Sequence, residues 1–425
     1  MNATRADALA ARHHLLDAGG WQFRRSDAFR VLPPPPAAVW LGEQGTAACD
    51  APPLAGAGWT LHPVGAPGRV EARWFDATDA AQRSELLSGL PPPGDEAAAP
   101  FAWAHRALCR QGLRLRIAAA ADPAAPPLLL QLRHQPREAV EAPLLIVELA
   151  PGAHCVLIET HDRDDVAGCS HDAVQNLQVH IRLGAASRLQ HWRRVQPGAG
   201  DRFAHHVHAR LDAGAFYGQS MLAGGSSYHL QRALVALEGE GADARLASVL
   251  LADGNKVDRQ LRVTHGARRT ASRVEVLALA RTGALAAADL HAHVLPGAEE
   301  ADVRQHLAGI PTAGAARLVL RPQLEIEHDA VQAAHGATWG RLPEEALFFA
   351  RQRGLDEAAA LALILQGMAA SVLAQGLDDD VLAQTVGAHD AVTEALARHL
   401  RGRDAAVAAV ADAAAATATR GLDHG

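Results

Sequence analysis

Between residues 100 and 330 the chain is cut into short runs that alternate apolar and polar residues. This stretch constrains the fold more than any other feature. The runs "GLRLRI", "APLLIVELAPGA", "HHVHARLDAGA", "ARLASVLLADGN", "SRVEVLALARTG", "DLHAHVLPGA" and "AARLVLRPQLEI" are separated by glycine or turn dipeptides. In "SRVEVLA", Val274, Val276 and Ala278 take one face while Arg273 and Glu275 take the other, the two-residue period of a strand. Nothing between the runs is long enough to be a crossover helix. The pattern therefore argues against a doubly wound α/β sheet and predicts an all-β core. Alternation alone does not choose between a sandwich and a β-solenoid, and no fixed-length repeat decides it.

The flanks differ in texture. A chain of 425 residues has the length of two to three domains. It divides into an N-terminal helical and proline-rich region (1–100), a β core (101–335) and a C-terminal helical domain (336–425). Proline clusters at 33–36, 52–53 and 91–93 mark rigid turns or linkers, and an aspartate start signal predicts a helix at about 77 to 88. After Leu342, Pro343 suits a first helical turn, with Glu344 and Glu345 favourable against its dipole. Ala346, Phe349 and Ala350 are the expected buried stripe, and Gly354 fits the position just past the helix end. Asp356 can cap a second helix in which Leu361, Ile364, Leu365 and Met368 repeat at helical spacing. A third helix is expected from Asp380 to about Leu400, followed by an alanine-rich tail from Ala405.

Charge and cysteine content narrow the function classes. A net charge of −7 with a pI near 6.4 argues against a nucleic-acid footprint or a polybasic membrane surface. The arginines between Arg188 and Arg194 alternate with apolar residues and read as a solvated strand face. No stretch approaches about 18 uninterrupted apolar residues, and the first twenty residues lack a signal-peptide core. The expectation is a soluble, cytoplasmic protein. The four cysteines, at 49, 109, 155 and 169, form no C-x-x-C pair, which excludes a disulfide scaffold or a self-sufficient Cys₄ site. "CSH" at 169–171 reads as a loop.

Histidine is abundant, at 23 residues, so spacing matters more than presence. His206 and His208 share a strand face, as do His291 and His293, but a metal site needs a third convergent ligand, and exposed strand histidines are the plainer reading. Asp258 and His265 read as a turn-stabilising pair. No G-x-S-x-G, H-E-x-x-H or Walker sequence is present, "LAGGSSYHL" reads as a turn, and Trp339 reads as a packing anchor.

"PQLEIEHDAVQAAHGATWGRLPEEALFFARQRGL", residues 322–355, resembles the signature of the SufB/SufD family of iron–sulfur cluster assembly proteins. Pro322, Gln323, Leu324, Glu325, Ile326, Asp329, Val331, His335, Gly336, Ala337 and Thr338 match it, as do Leu347, Phe348, Arg353 and Gly354 downstream. Upstream, Asp258, His265 and Ser272 fall on the family's D-x₆-H-x₆-S pattern, and Ala298, Asp302 and Gln305 on its A-x-x-T-D-A-x-Q pattern. The family's Lys-Cys-Ser is Gln332-Ala333-Ala334 here and its second aspartate is Ala330, so the chain is a divergent member. The length and the missing loop cysteine favour the SufD branch.

The resemblance implies a right-handed parallel β-helix flanked by helical segments. It implies a non-catalytic scaffold that pairs with a SufB-type paralogue and docks a SufC-type ABC ATPase. Leu347, Phe348, Phe349, Arg353 and Gly354 are then docking residues, since two adjacent phenylalanines cannot both face one core. His335, read as lying in a small-residue loop, is the implied iron or cluster ligand across the paralogue interface, with Glu325 and Asp329 supporting it. The isolated subunit is expected to hold no cofactor. An iron–sulfur cluster belongs to the assembled complex only, and FAD there is left open. The competing classes are a stand-alone β-helical carbohydrate-active enzyme, for which no convergent carboxylates are found, and a homodimeric interaction protein.

Overall fold

The computed structural model describes residues 3–401, apart from 18, 24–26, 43–58, 65–67, 94–96, 123, 137, 164–171, 343, 378–386 and 388. Cys49, the "CSH" stretch and the tail from Ala405 lie outside the described residues.

Helices α1 (Ala3–Leu16) and α2 (Ala37–Trp40) come first, then strands β1 (Trp59–Val64) and β2 (Val70–Asp76), then α3 (Ala80–Leu87) and α4 (Ala99–Leu108). The next strands are β3 (Gln111–Ile117), β4 (Leu128–His134), β5 (Val140–Glu141), β6 (Leu144–Leu149), β7 (His154–Asp162) and β8 (Val174–Leu183). They continue as β9 (Arg188–Gln196), β10 (Arg202–Leu211), β11 (Phe216–Gly224), β12 (Tyr228–Leu237), β13 (Asp243–Ala252) and β14 (Lys256–His265). The last are β15 (Ala271–Ala280), β16 (Leu285–Val294), β17 (Asp302–Pro311), β18 (Arg317–Ile326) and β19 (Gln332–Trp339), before α5 (Glu344–Gln352) and α6 (Glu357–Ala374). Residues 389–401 are also helical.

The strands wind alternately into two sheets, ordered β1-β4-β7-β9-β11-β13-β15-β17-β19 and β18-β16-β14-β12-β10-β8-β6-β3-β2. Successive coils pair in parallel, which makes the body a β-solenoid. Among the named strands, β1 on β4 and β2 on β3, at the N-terminal end, are antiparallel. The pairing step varies from 26 residues (Arg202 to Tyr228) to 34 (His154 to Arg188), because the turns differ in length. That variation hides the repeat from the sequence.

The two-residue period now has a physical meaning. Inward residues such as Leu130, Leu157, Leu189, Val235, Val263 and Val276 fill the lumen, fully buried. Outward residues of both sheets are also partly buried, because helices cover them. Over the second sheet, Trp40 and Phe101 meet edge to face with centroids 5.0 Å apart and pack with Leu230 and Leu285. Over the first sheet, Leu365, Ala369 and Leu373 of α6, with Val392 and Leu396, cover Trp192, Leu222, Val249 and Leu277.

Local signals place the helices well. Asp79 caps α3, accepting from the Gln82 amide at 2.9 Å, and Asp356 caps α6, accepting from the Ala359 amide at 2.7 Å. Gly354 has φ +86° and ends α5. Among the described residues α6 is the one helix long and apolar enough to cross a membrane by length and composition, although Gln366, Gly367 and Ser371 interrupt its apolar run.

The end of α6 seats on β11 through backbone contact. The Ser220 hydroxyl donates to the Leu373 carbonyl at 2.6 Å. A Cβ on Gly218 would lie 2.4 Å from the Gly376 carbonyl oxygen, and one on Gly376 would lie 2.3 Å from that of Gln219. Gly218→Val should therefore prise the C-terminal helices away at a cost of about 1–3 kcal/mol. The expected readout is faster proteolysis C-terminal to residue 340 with the β circular dichroism unchanged. An unaltered digestion pattern would show that the close approach is dispensable.

Several readings from the sequence are corrected here. His335 lies on strand β19, not in a loop. Arg193 is fully buried rather than solvated, and Trp192 beside it is covered by α6. His206 is buried and not an exposed strand histidine. Asp258 and His265 point to opposite faces of β14 and do not pair: Asp258 accepts from Gln260, while His265 contacts the Thr270 and Ser272 hydroxyls. Helix α5 buries no residue, so Phe349 is exposed and no stripe of Ala346, Phe349 and Ala350 forms. Trp339 is 73% exposed and anchors nothing. In each case the sequence carried the period but not which face another element would cover.

Candidate functional site at the open end of the solenoid

The N-terminal end of the solenoid is closed by antiparallel strands, whereas its C-terminal end stops at β18 and β19. Each is the last strand of its sheet among the described residues. Their outer edges carry backbone N–H and C=O groups with no further strand beside them, which is a template for pairing with another chain. Pro322 within β18 was the legible signal, because proline is tolerated in a sheet chiefly on an edge.

The register places His335 at the mouth of the lumen. Gln219, Leu246, Val274, Gln305 and His335 are successive partners across β11, β13, β15, β17 and β19. Gln219, Leu246, Val274 and Gln305 are buried and face inward, so the His335 side of β19 is the lumen side. His335 is exposed because no further coil covers it. Directly beneath, Gln305 donates to the Gln323 carbonyl at 3.3 Å, and its buried Oε1 has no partner. The sequence had marked Gln305 only as a motif match.

The two carboxylates expected near His335 lie differently. Asp329 is exposed in the turn between β18 and β19. Glu325 points to the outer face of β18, opposite His293 in register, and contacts His291 at 3.2 Å. The structure does not bring Glu325 and His335 together.

Next to this mouth, α5 presents an unburied apolar surface. Phe348 is 58% and Phe349 56% exposed, their rings edge to face with centroids 6.1 Å apart, and Leu363 of α6 is also exposed. Leu347 rests partly buried against the helical cluster, and the Arg353 guanidinium donates to the Phe349 carbonyl at 3.0 Å. Large exposed apolar side chains on one helix are the usual mark of an interaction site.

A buried polar network inside the lumen escaped the sequence reading altogether. Arg193 donates to Glu159 Oε1 at 2.9 Å and to Gln231 at 3.0 Å. His161 and His191 contact the two Glu159 oxygens at 2.5 and 2.8 Å. Burial would push the Glu159 carboxyl up, but the Arg193 charge and the two imidazole hydrogen bonds outweigh it and hold it well below its usual range. No sequence motif announces this pair, which only the Glu159–Arg193 register creates. Among the described residues, the lumen cysteine Cys155 is pushed up to about 12 by burial, and Cys109, outside the lumen, to about 11.

Comparison with known proteins agrees with this architecture. A family model described as "SUF system FeS cluster assembly, SufBD core domain" matches residues 132–368, from β4 into α6. The chain is 27% identical over 249 residues to the iron–sulfur cluster assembly protein SufD of Escherichia coli (strain K12). That alignment covers 56% of this chain and 56% of the relative, so the chain spans little more than half of that protein's length. With over half of its residues matched by the core-domain model, and with a solenoid and flanking helices in the matched region, this chain belongs to the SufBD core family of the SUF iron–sulfur cluster assembly system.

Proposed function

We propose that this chain is a non-catalytic, SufD-type scaffold subunit of a cytoplasmic SufB–SufC–SufD assembly. The observation that carries the reading is the open end of the solenoid. Two unpaired edge strands frame a lumen mouth with an exposed imidazole above an unsatisfied amide oxygen. A SufB-type paralogue pairs there edge to edge, and a SufC-type ABC ATPase docks on α5 around Phe348 and Phe349. In this division of labour the N-terminal helices cover one face, the strands from β1 to β19 form the β-helix, and α5 and α6 form the ATPase dock.

Within the assembly His335 supplies one neutral imidazole to iron or a nascent cluster at the interface, while the paralogue supplies thiolate and carboxylate. Asp329 remains near enough in sequence to assist, whereas Glu325 has other partners. The subunit alone holds no cluster. Co-expression with its SufB- and SufC-type companions is expected to yield a ternary complex. His335→Ala should leave that complex intact and lower its reconstituted cluster content at least about threefold. Unchanged iron and sulfide content would remove the ligand role. A chain that purifies only as a dimer with itself would favour the homodimeric reading of the same open edge.

A further inference from the structure

The histidine pair that the sequence left one ligand short acquires its missing donors from the neighbouring coil. His291 and His293 project from the outer face of β16, and Glu325 and Glu327 from the end of β18 and the residues just after it. The His293 Nε2 atom lies 2.5 Å from Glu327 Oε1 and 3.9 Å from Glu325 Oε1. One imidazole nitrogen and two carboxylate oxygens thus converge on one point, all within 4.8 Å of one another.

We propose that His293, Glu325 and Glu327 form a surface binding site for a first-row dication of the Zn²⁺ or Fe²⁺ type, oriented by His291. The argument for His291 is its tautomer. The Arg262 guanidinium donates to His291 Nδ1 at 3.1 Å, which leaves the ring proton on Nε2. That Nε2–H faces Glu325 Oε2 at 3.2 Å and holds this carboxylate with its second oxygen toward His293. His291 is therefore a positioning residue rather than a ligand, the usual arrangement in which an outer group aligns a coordinating one.

The charge and chemistry fit. Two carboxylates beside a neutral imidazole carry the charge a dication neutralises, and mixed nitrogen and oxygen donors suit Zn²⁺ and Fe²⁺ better than soft Cu(I). Binding at Nε2 takes the place of the hydrogen bond to Glu327, and the imidazole keeps its single proton on Nδ1. Three protein ligands leave positions for water or for a donor from a partner seated on β18. The glutamates are about half exposed, so the cation exchanges freely. A second convergent trio, His134, Glu159 and His161 in the lumen, does not qualify, because the Arg193 guanidinium already occupies Glu159 Oε1 and repels a cation.

The site is independent of His335 and is tested on the purified full chain without companions. Calorimetric titration with ZnCl₂, and visible absorption with CoCl₂, should reveal one equivalent that His293→Ala and Glu327→Gln each lose or weaken at least tenfold. His291→Ala should weaken it about tenfold without changing the stoichiometry, and His335→Ala should leave it unchanged. The same number of equivalents and the same affinity in wild type and His293→Ala would overturn the proposal, as would no Zn²⁺ uptake by the wild type below about 1 mM. All four side chains are at the surface, so the variants should fold, which circular dichroism checks.

Discussion

Glu159→Ala is expected to destabilise the solenoid by about 3–5 kcal/mol, the largest effect of any single substitution considered. The carboxylate is fully buried in the lumen and, among the described residues, is the anion bonded to Arg193, which is itself fully buried. Removing it leaves a buried guanidinium with only neutral partners named beside it, Gln231 and His205. The paired substitution Glu159→Leu with Arg193→Met should restore most of the loss, because the cost arises from the unpaired charge rather than from missing attraction. Denaturant midpoints of Glu159→Leu alone, Arg193→Met alone and the double variant form the cycle. A single variant costing less than about 1 kcal/mol would mean that water reaches the lumen.

The sign of the pH effect follows from the depressed carboxyl. Since Glu159 titrates lower in the folded chain than in the unfolded one, its stabilisation is present above about pH 4.5 and is lost as pH falls toward the folded value. Acid should therefore loosen the solenoid from within.

Asp258 behaves in the opposite sense. Burial beneath the N-terminal helices raises its carboxyl to about 7. The hydrogen bond from Gln260 at 2.9 Å opposes the rise, the nearby Asp289 charge adds to it, and Arg321 and Arg232 counter it. Tyr228, also buried beside it, has its own hydroxyl pushed up, first by burial and then by the Asp258 charge. A group raised in the folded state binds its proton more tightly there. Stability linked to Asp258 is therefore full below about pH 4, declines as pH rises toward 7, and stays lower above it. The interval from 3.8 to about 7 corresponds to at most about 4 kcal/mol. Asp258→Asn should recover much of that at pH 8 and flatten the profile between pH 5 and 8. A variant no more stable than wild type at pH 8 would show that the carboxylate finds a compensating partner on ionising. This aspartate also falls on the family's D-x₆-H-x₆-S pattern, so the cost it imposes marks it for a test of function alongside stability.

Much of the architecture was legible. The alternation in "SRVEVLALA" put Val274, Val276 and Ala278 in the core, where they are buried. Gly354 and Asp356 announced helix boundaries through capping chemistry that acts over three or four residues, whereas the helix read from about 77 starts at Ala80, where Asp79 caps it. The solenoid itself was not readable from period alone. Turns of unequal length between coils shift the repeat, and the family resemblance supplied what the pattern lacked. Whether outward residues are wet was also hidden: Trp192 and Arg193 alternate as a surface strand does, yet α6 covers one and the lumen encloses the other.

The sequence by itself determined the strand period, the helix caps and the family, because each is written in neighbouring residues. Tertiary structure alone decided which imidazoles and carboxylates meet. His293 and Glu327 are 34 positions apart, as are Glu159 and Arg193, and only the coil-to-coil register makes them neighbours. His335 likewise became a lumen-mouth residue only because the solenoid ends one coil beyond Gln305, leaving its face uncovered.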